Sequence, residues 1–235
     1  MTRPPRLFVA ADLGEGADVV LSAEQAHYLD NVMRRRVGDA MHVFNGRDGE
    51  WLARVHAIGR RAATLRAETR LRPQEPEPGP WLLFALLKRD ATDLVVQKAT
   101  ELGASAIMPV MTERTNTARV NEARLTAIAI EAAEQSERLT VPVVHAPRRL
   151  AAVLDDFPSD RRLFVAVERS DAPHLRGCSA PAALLVGPEG GFAPSELDGF
   201  GQYPFAVCVN LGPRILRAET ACLAGLALLQ APGCG

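Results

Sequence analysis

Ala182-Ala183-Leu184-Leu185-Val186-Gly187-Pro188-Glu189-Gly190-Gly191-Phe192 is an unbroken apolar run that stops abruptly in a glycine-rich turn. Consecutive apolar residues without alternation predict a strand buried on both faces, as in a parallel sheet covered by helices. The same rhythm recurs on either side. Trp81–Leu87, Ala106–Val110, Val141–His145, Leu163–Val167 and Phe205–Val209 read as strands. Between them, Asp90–Leu102 carries Leu94, Val95, Ala99 and Leu102 at helical spacing, and Gly103 is placed to end that helix. Asn121–Arg138 reads as a long helix, and others begin near Arg149, at Ser195 and at about Ile215, the last reaching Gln230. Strands alternating with helices define an α/β layer. Ligands of such sheets bind beyond the carboxyl ends of the strands, which makes Gly187–Phe192 the strongest local site candidate.

The amino-terminal part has a different pattern. Leu7–Ala10, Ala40–Phe44, Glu50–Ile58 and Ala62–Thr69 read as strands, and Asn45-Gly46-Arg47-Asp48-Gly49 supplies turn residues. Ser22 with Gln25 three residues on predicts a capped helix through Met33, stopped by Val37-Gly38-Asp39. Four prolines in Arg72–Pro80 mark a linker, so two domains are expected, residues 1–72 and 73–235. An apolar content of 47% excludes general disorder, and a net charge of -1 gives no global sign of nucleic-acid binding. The charge is uneven, however. Residues 1–72 hold 12 Lys/Arg against 9 Asp/Glu, whereas residues 73–235 hold 15 against 19. Arg34-Arg35-Arg36 fits either a phosphate contact or a solvated helix end. The four cysteines and five histidines form no metal-site spacing, and no apolar run reaches transmembrane length. With no signal-peptide pattern, the expectation is a soluble, cytoplasmic protein without a metal.

Three segments carry candidate chemistry. The glycines of Gly187–Gly191 permit close backbone approach to a ligand, and Glu189 either orients a group or caps the next turn. The spacing matches neither a phosphate-binding Walker loop nor a dinucleotide fingerprint. Asn210–Thr220 exposes Arg214 and Arg217 beside Gly212 and Pro213, where backbone amides can receive a carboxylate or ribose oxygen and Leu211 and Ile215 offer apolar contact. On helices, Glu131, Glu134, Gln135 and Arg138 form one polar stripe, and Asp90, Asp93, Gln97 and Glu101, with Lys98 adjacent, form another. Such stripes are solvated faces or functional ones.

Taken together and in order, these strings resemble the RsmE family of SPOUT methyltransferases: His27-Tyr28-Leu29-Asp30-Asn31-Val32-Met33-Arg34, Gln97-Lys98-Ala99-Thr100-Glu101-Leu102-Gly103, Glu131-Ala132-Ala133-Glu134-Gln135-Ser136-Glu137-Arg138, Gly187–Phe192 and Leu211–Ala221. Met33 stands where that family often has leucine, and Leu125 near a common family tryptophan. The resemblance implies a PUA-like RNA-binding β-barrel followed by an α/β SPOUT domain with a deep carboxyl-terminal trefoil knot. It implies S-adenosyl-L-methionine-dependent methylation of N3 of a uridine in 16S rRNA, with the assembled 30S subunit as substrate, and a homodimer with no metal and no membrane. Cofactor contacts are then expected from Leu185, Val186, Gly187, Glu189, Gly190, Gly191, Asn210, Leu211, Gly212, Arg214, Ile215 and Leu216. Arg217, Glu219 and Glu134 become the candidates for catalysis, with Glu134 or Glu219 supplying or positioning the base. Arg3, Arg6, Arg34, Arg35, Lys98 and Arg138 become candidates for RNA contact.

Overall fold

The structure, a computed structural model, describes residues 4–59, 62–116, 119–168, 171–178 and 181–231. The chain divides into two compact units. One comprises Met1–Pro76 with Ala133–Val141, the other Glu77–Ala132 with Pro142–Gly235. The amino-terminal unit is therefore discontinuous, whereas the proline-rich linker at Arg72–Pro80 predicts one simple break.

The amino-terminal unit is built on a five-stranded sheet in the order β1-β3-β4-β5-β2, where β1 is Arg6–Phe8, β2 Asp18–Val20, β3 Ala40–Phe44, β4 Glu50–Ile58 and β5 Ala63–Arg72. β3, β4, β5 and β2 pair antiparallel, and β1 joins β3 in parallel. Met41, Val43, Val55 and Leu65 point inward with Leu7, Val19 and Leu29 to form the core. Asn45 sets the β3–β4 turn by accepting from the Arg47 and Asp48 amides at 3.0 and 2.9 Å. Gly49 is obligatory at φ +84, since an added Cβ would lie 2.2 Å from the Arg72 carbonyl.

The capping box expected at Ser22 forms. The Ser22 hydroxyl accepts the Gln25 amide and the Gln25 side chain accepts the Ser22 amide, both at 3.2 Å. The helix it starts, α1 (Ala23–His27), does not run on regularly to Met33 as its sequence suggests. It widens into a π-helical turn at Tyr28–Val32, after which Arg34 adopts φ +51.

The second unit carries a seven-stranded sheet. Its path is β12-β10-β11-β6-β7-β8, with β9 also on β7, and every pairing is parallel. The strands are β6 (Trp81–Ala85), β7 (Ala106–Met111), β8 (Val143–Val144), β9 (Arg148–Arg149), β10 (Arg162–Ala166), β11 (Ala182–Val186) and β12 (Ala206–Val209). The helices are α2 (Arg89–Glu101), α3 (Glu122–Gln135, whose last three residues belong to the amino-terminal unit), α4 (Leu150–Asp155), α5 (Pro194–Phe200) and α6 (Ala218–Gln230). β11 is buried along its whole length, as its uninterrupted apolar sequence requires.

α6 packs on β11, β6 and α2, and Gly225 allows the approach, because an added Cβ would stand 2.5 Å from a Leu184 methyl. This helix starts at Ala218 rather than near Ile215. The connection between β10 and β11 crosses the segment leading into α6. The Asn210 amide donates to Pro173 O at 3.0 Å, the Leu175 amide to Asn210 O at 2.9 Å, and the Cys178 amide to Leu229 O at 3.1 Å. A threaded carboxyl terminus requires such a crossing, against the general rule that chains do not thread loops.

Candidate cofactor site

A cavity of about 950 Å3 opens at the carboxyl ends of the parallel strands. Its walls are the residues that follow β10, β11 and β12, joined by Arg114 from the loop after β7. The four loops, after β7, β10, β11 and β12, meet there because the parallel order β12-β10-β11-β6-β7 brings the carboxyl ends of these strands to one edge of the sheet.

The glycine loop is shaped by short-range forces. The Gly191 amide donates to Pro188 O at 2.8 Å, and Gly191 takes φ +68, a conformation that favours glycine. Gly187 lies against the Phe192 ring, where an added Cβ would come within 3.1 Å. Arg114 reaches over and donates to Gly190 O at 2.8 Å. The neighbouring Glu113 accepts from the Ser195 hydroxyl at 2.7 Å, and its amide donates to Glu196 at 2.9 Å. The loop after β7 thus clasps both the glycine turn and the start of α5.

The second wall is the segment after β12. Asn210 is held through its amide, its carbonyl and its side chain, which donates to Ala172 O and accepts the Gly212 amide at 3.2 Å. Gly212 follows at φ +124. Arg217 is the N-cap position of α6, and both it and Arg214 project from this wall. Among the described residues neither guanidinium has an ion-pair or hydrogen-bond partner, so both cations are available to a ligand.

The structure brings most of the predicted cofactor residues together. Val186, Gly187, Glu189, Gly190, Gly191, Asn210, Leu211, Gly212, Arg214, Ile215 and Leu216 line the cavity, as does Arg217. Leu185 does not. Its side chain points into the core with Leu83 and Leu163, because alternate residues of β11 face opposite sides. The two carboxylates nominated as bases are not among the lining residues. Glu219 lies in the first turn of α6 and is absent from the lining. Glu134 belongs to the amino-terminal unit, where its carboxylate accepts the Phe8 amide at 2.8 Å. Among the described residues the acidic and imidazole groups on the wall are Glu168, Asp171, His174 and Glu189. Glu168 follows the carboxyl end of β10, so the strand-end rule that singled out Gly187 applies to it equally.

The RNA-contact candidates also divide. Arg34 is exposed and Arg35 half-buried. Arg6 is not a surface cation. Its side chain is 5% exposed, donates to Glu50 at 2.6 Å and to the carbonyls of Ala133, Glu134 and Arg138 at 2.7–2.9 Å, and stacks on Phe44. Arg138 is buried as well and donates to Thr140. Lys98 is paired with Glu101 at 2.8 Å, one turn along α2. Arg3 lies outside the described residues.

No helix among the described residues is long and apolar enough to cross a membrane, and no group of three or more His, Cys, Asp or Glu is placed to hold a metal. Cys222 is fully buried and Cys208 partly so, and burial pushes both thiols up from their ordinary value, consistent with packing roles.

Comparison with known proteins agrees with this geometry. Residues 75–230 match the model of an RNA methyltransferase domain, and residues 21–68 that of an RNA methyltransferase PUA domain. Ribosomal RNA small subunit methyltransferase E of Rickettsia conorii is 33% identical over 97% of this chain and 96% of its own length. The enzyme of that name from Synechocystis is 34% identical over 96% of this chain and 77% of its own length. Among solved structures, the Neisseria gonorrhoeae ribosomal RNA small subunit methyltransferase E bound to S-adenosyl methionine superposes with a TM-score of 0.84 at 32% identity, covering 96% of each chain. A Legionella pneumophila methyltransferase in complex with the same cofactor gives a TM-score of 0.86 at 28% identity, over 98% of each chain. On this likeness over nearly its whole length, the chain belongs to the ribosomal RNA small subunit methyltransferase E family.

Proposed function

We propose that the large cavity binds S-adenosylmethionine and that the chain transfers its methyl group to N3 of a uridine in 16S rRNA, with the assembled 30S subunit as substrate. The observation that carries this reading is the meeting of the glycine loop after β11, the Asn210–Leu216 segment and the unpartnered Arg217 in one cavity. A volume of about 950 Å3 suits a ligand of this size. Gly190 and Gly212 admit close backbone approach, Val186, Leu211 and Ile215 offer apolar surface to an adenine, and Arg214 is available to a carboxylate. The relatives from Neisseria and Legionella, which hold this cofactor, support the assignment.

When bound, the cofactor's sulfonium supplies an electrophilic methyl. The uracil N3–H must lose its proton before or during attack; an N–C bond forms, the C–S bond breaks, and the thioether product leaves. Glu168, Asp171 and His174 stand on the wall as groups able to take the proton. Arg217, on the same wall without a partner among the described residues, supplies the cation that stabilises the charge developing on the uracil carbonyls in this reading. Arg34 and Arg35, beside the π-helical turn, supply phosphate contacts from the amino-terminal unit. Two copies form the working unit, a reading supported by α6. Between Ala221 and Leu229 that helix is entirely apolar, yet Leu223, Ala224, Ala227 and Leu228 are not buried.

The test is single-turnover methylation of small subunits from a strain lacking the modification, with nucleoside mass analysis of the product. N3-methyluridine is expected, and a 2'-O-methylated product would overturn the assignment. Arg217→Ala should slow the chemical step on the order of 100-fold with little change in cofactor affinity. An unchanged rate would remove Arg217 from the reaction.

A further inference from the structure

The α/β unit contains a second cavity, of about 270 Å3, just beyond the carboxyl end of β6. Arg89, Arg119 and Arg124 converge on it, together with Asn121, Thr92 and Leu87. Thr92 is satisfied by donating to Leu87 O at 3.1 Å, and Arg124 is paired with Asp93. Arg89 and Arg119 have no ion-pair or hydrogen-bond partner among the described residues. Three arginines therefore line a small space, and the one carboxylate paired with any of them, Asp93 on Arg124, is not among the lining residues. General basicity does not account for this, because residues 73–235 hold fewer cationic than anionic side chains, 15 against 19.

The position of this cavity is informative. β6 lies between β11 and β7, whose following loops wall the large cavity with Gly187–Gly191 and Arg114. All these strands are parallel and about 5 Å apart, so both cavities open on one edge of the sheet. The smaller one is below the usual range for a whole nucleotide but admits a phosphate group, which the planar forks of two free arginines fit.

We propose that this cavity is a phosphodiester subsite, holding a backbone phosphate of the rRNA strand next to the nucleotide that enters the large cavity. The inference rests on the rRNA-methylation reading above. Arg89 and Arg119 bind the phosphate, Asn121 adds a hydrogen-bond donor, and Arg124, fixed by Asp93, contributes field.

The experiment measures binding of unmodified small subunits across a salt series for the wild type, Arg89→Ala, Arg119→Ala, the double alanine variant and the double lysine variant. Cofactor affinity is measured in parallel as a check on folding. Each alanine should lower the slope of log affinity against log salt by about 0.7, and the double variant should bind RNA on the order of tenfold more weakly, with cofactor affinity unchanged. Lysine should retain the slope. RNA affinity and slope unchanged in the double alanine variant would overturn the proposal. So would calorimetric binding of inorganic phosphate to the wild type, lost in the double alanine variant without any change in RNA binding, which would assign the cavity to a free anion. Wild-type RNA binding without methyl transfer would sink the functional reading while leaving the subsite decided by the same slopes. A wild type that does not bind RNA would sink both.

Discussion

Arg6 and Glu50 show how a charge pair can be committed to structure. Both side chains are almost fully enclosed, at 5% and 2% exposure, and Glu50 also receives Arg72 at 2.8 Å. Burial pushes the Glu50 carboxyl up, but the hydrogen bonds from Arg72 and Arg6 outweigh it and hold the group below its ordinary value of 4.5. A carboxylate whose folded value is depressed contributes stability in full above the unfolded value. That contribution is lost as pH falls from about 4.5 through the folded value. Glu50→Gln should cost about 3 kcal/mol at pH 7, because it strands the buried Arg6 charge. Urea unfolding at pH 7 and below pH 4 should show the difference between variant and wild type shrinking with acid; a constant difference would contradict the assignment. In the sequence, Arg6 is one of several amino-terminal arginines, and nothing local distinguishes it from Arg34. Its partners Ala133 and Glu134 lie 127 and 128 positions away, and only folding brings them to it.

Elements defined by local forces appear where the residues put them. Ala40–Phe44, Glu50–Ile58 and Ala182–Val186 form as read, because alternation or continuous apolarity specifies them. The departures occur where tertiary contacts intervene. α3 ends at Gln135 rather than Arg138: Glu137 turns the chain at φ +61 and the Arg138 amide closes on Ala133 O at 3.1 Å. Leu139 is thereby delivered to Phe44 and Ala133 in a small core cluster. The short strands β2 and β9, of three and two residues, are too brief for any periodicity to reveal. The proline-rich run is likewise more than a spacer. Its Gly79 accepts the Ser105 hydroxyl at 2.7 Å, and an added Cβ there would lie 2.0 Å from Gly103 O. Gly79→Ala should therefore destabilise the α/β unit by about 1–3 kcal/mol, read as a lower urea midpoint. An unchanged midpoint would show that this backbone can move aside.

For the molecule as a whole, the incomplete burial of α6 in one chain favours two copies in solution. Sedimentation should give twice the 25.3 kDa chain mass, and Leu223→Glu with Leu228→Glu should halve it. A wild type that sediments as a monomer would remove the dimer from the proposal. By itself the sequence determined the α/β class, the change of pattern near the prolines and both glycine-bearing loops of the large cavity. These depend on hydrophobic period and turn chemistry, which act over a few residues. The ordered series of motifs also carried the family likeness. Only the tertiary structure decided that Arg114, Glu168, Asp171 and His174 share that cavity, that Leu185 and Glu219 stay off its wall, and that Glu134, Arg138 and Arg6 serve the amino-terminal unit. Strand order and long-range closure decide which loops meet and which charges are enclosed, and neither is written in local spacing.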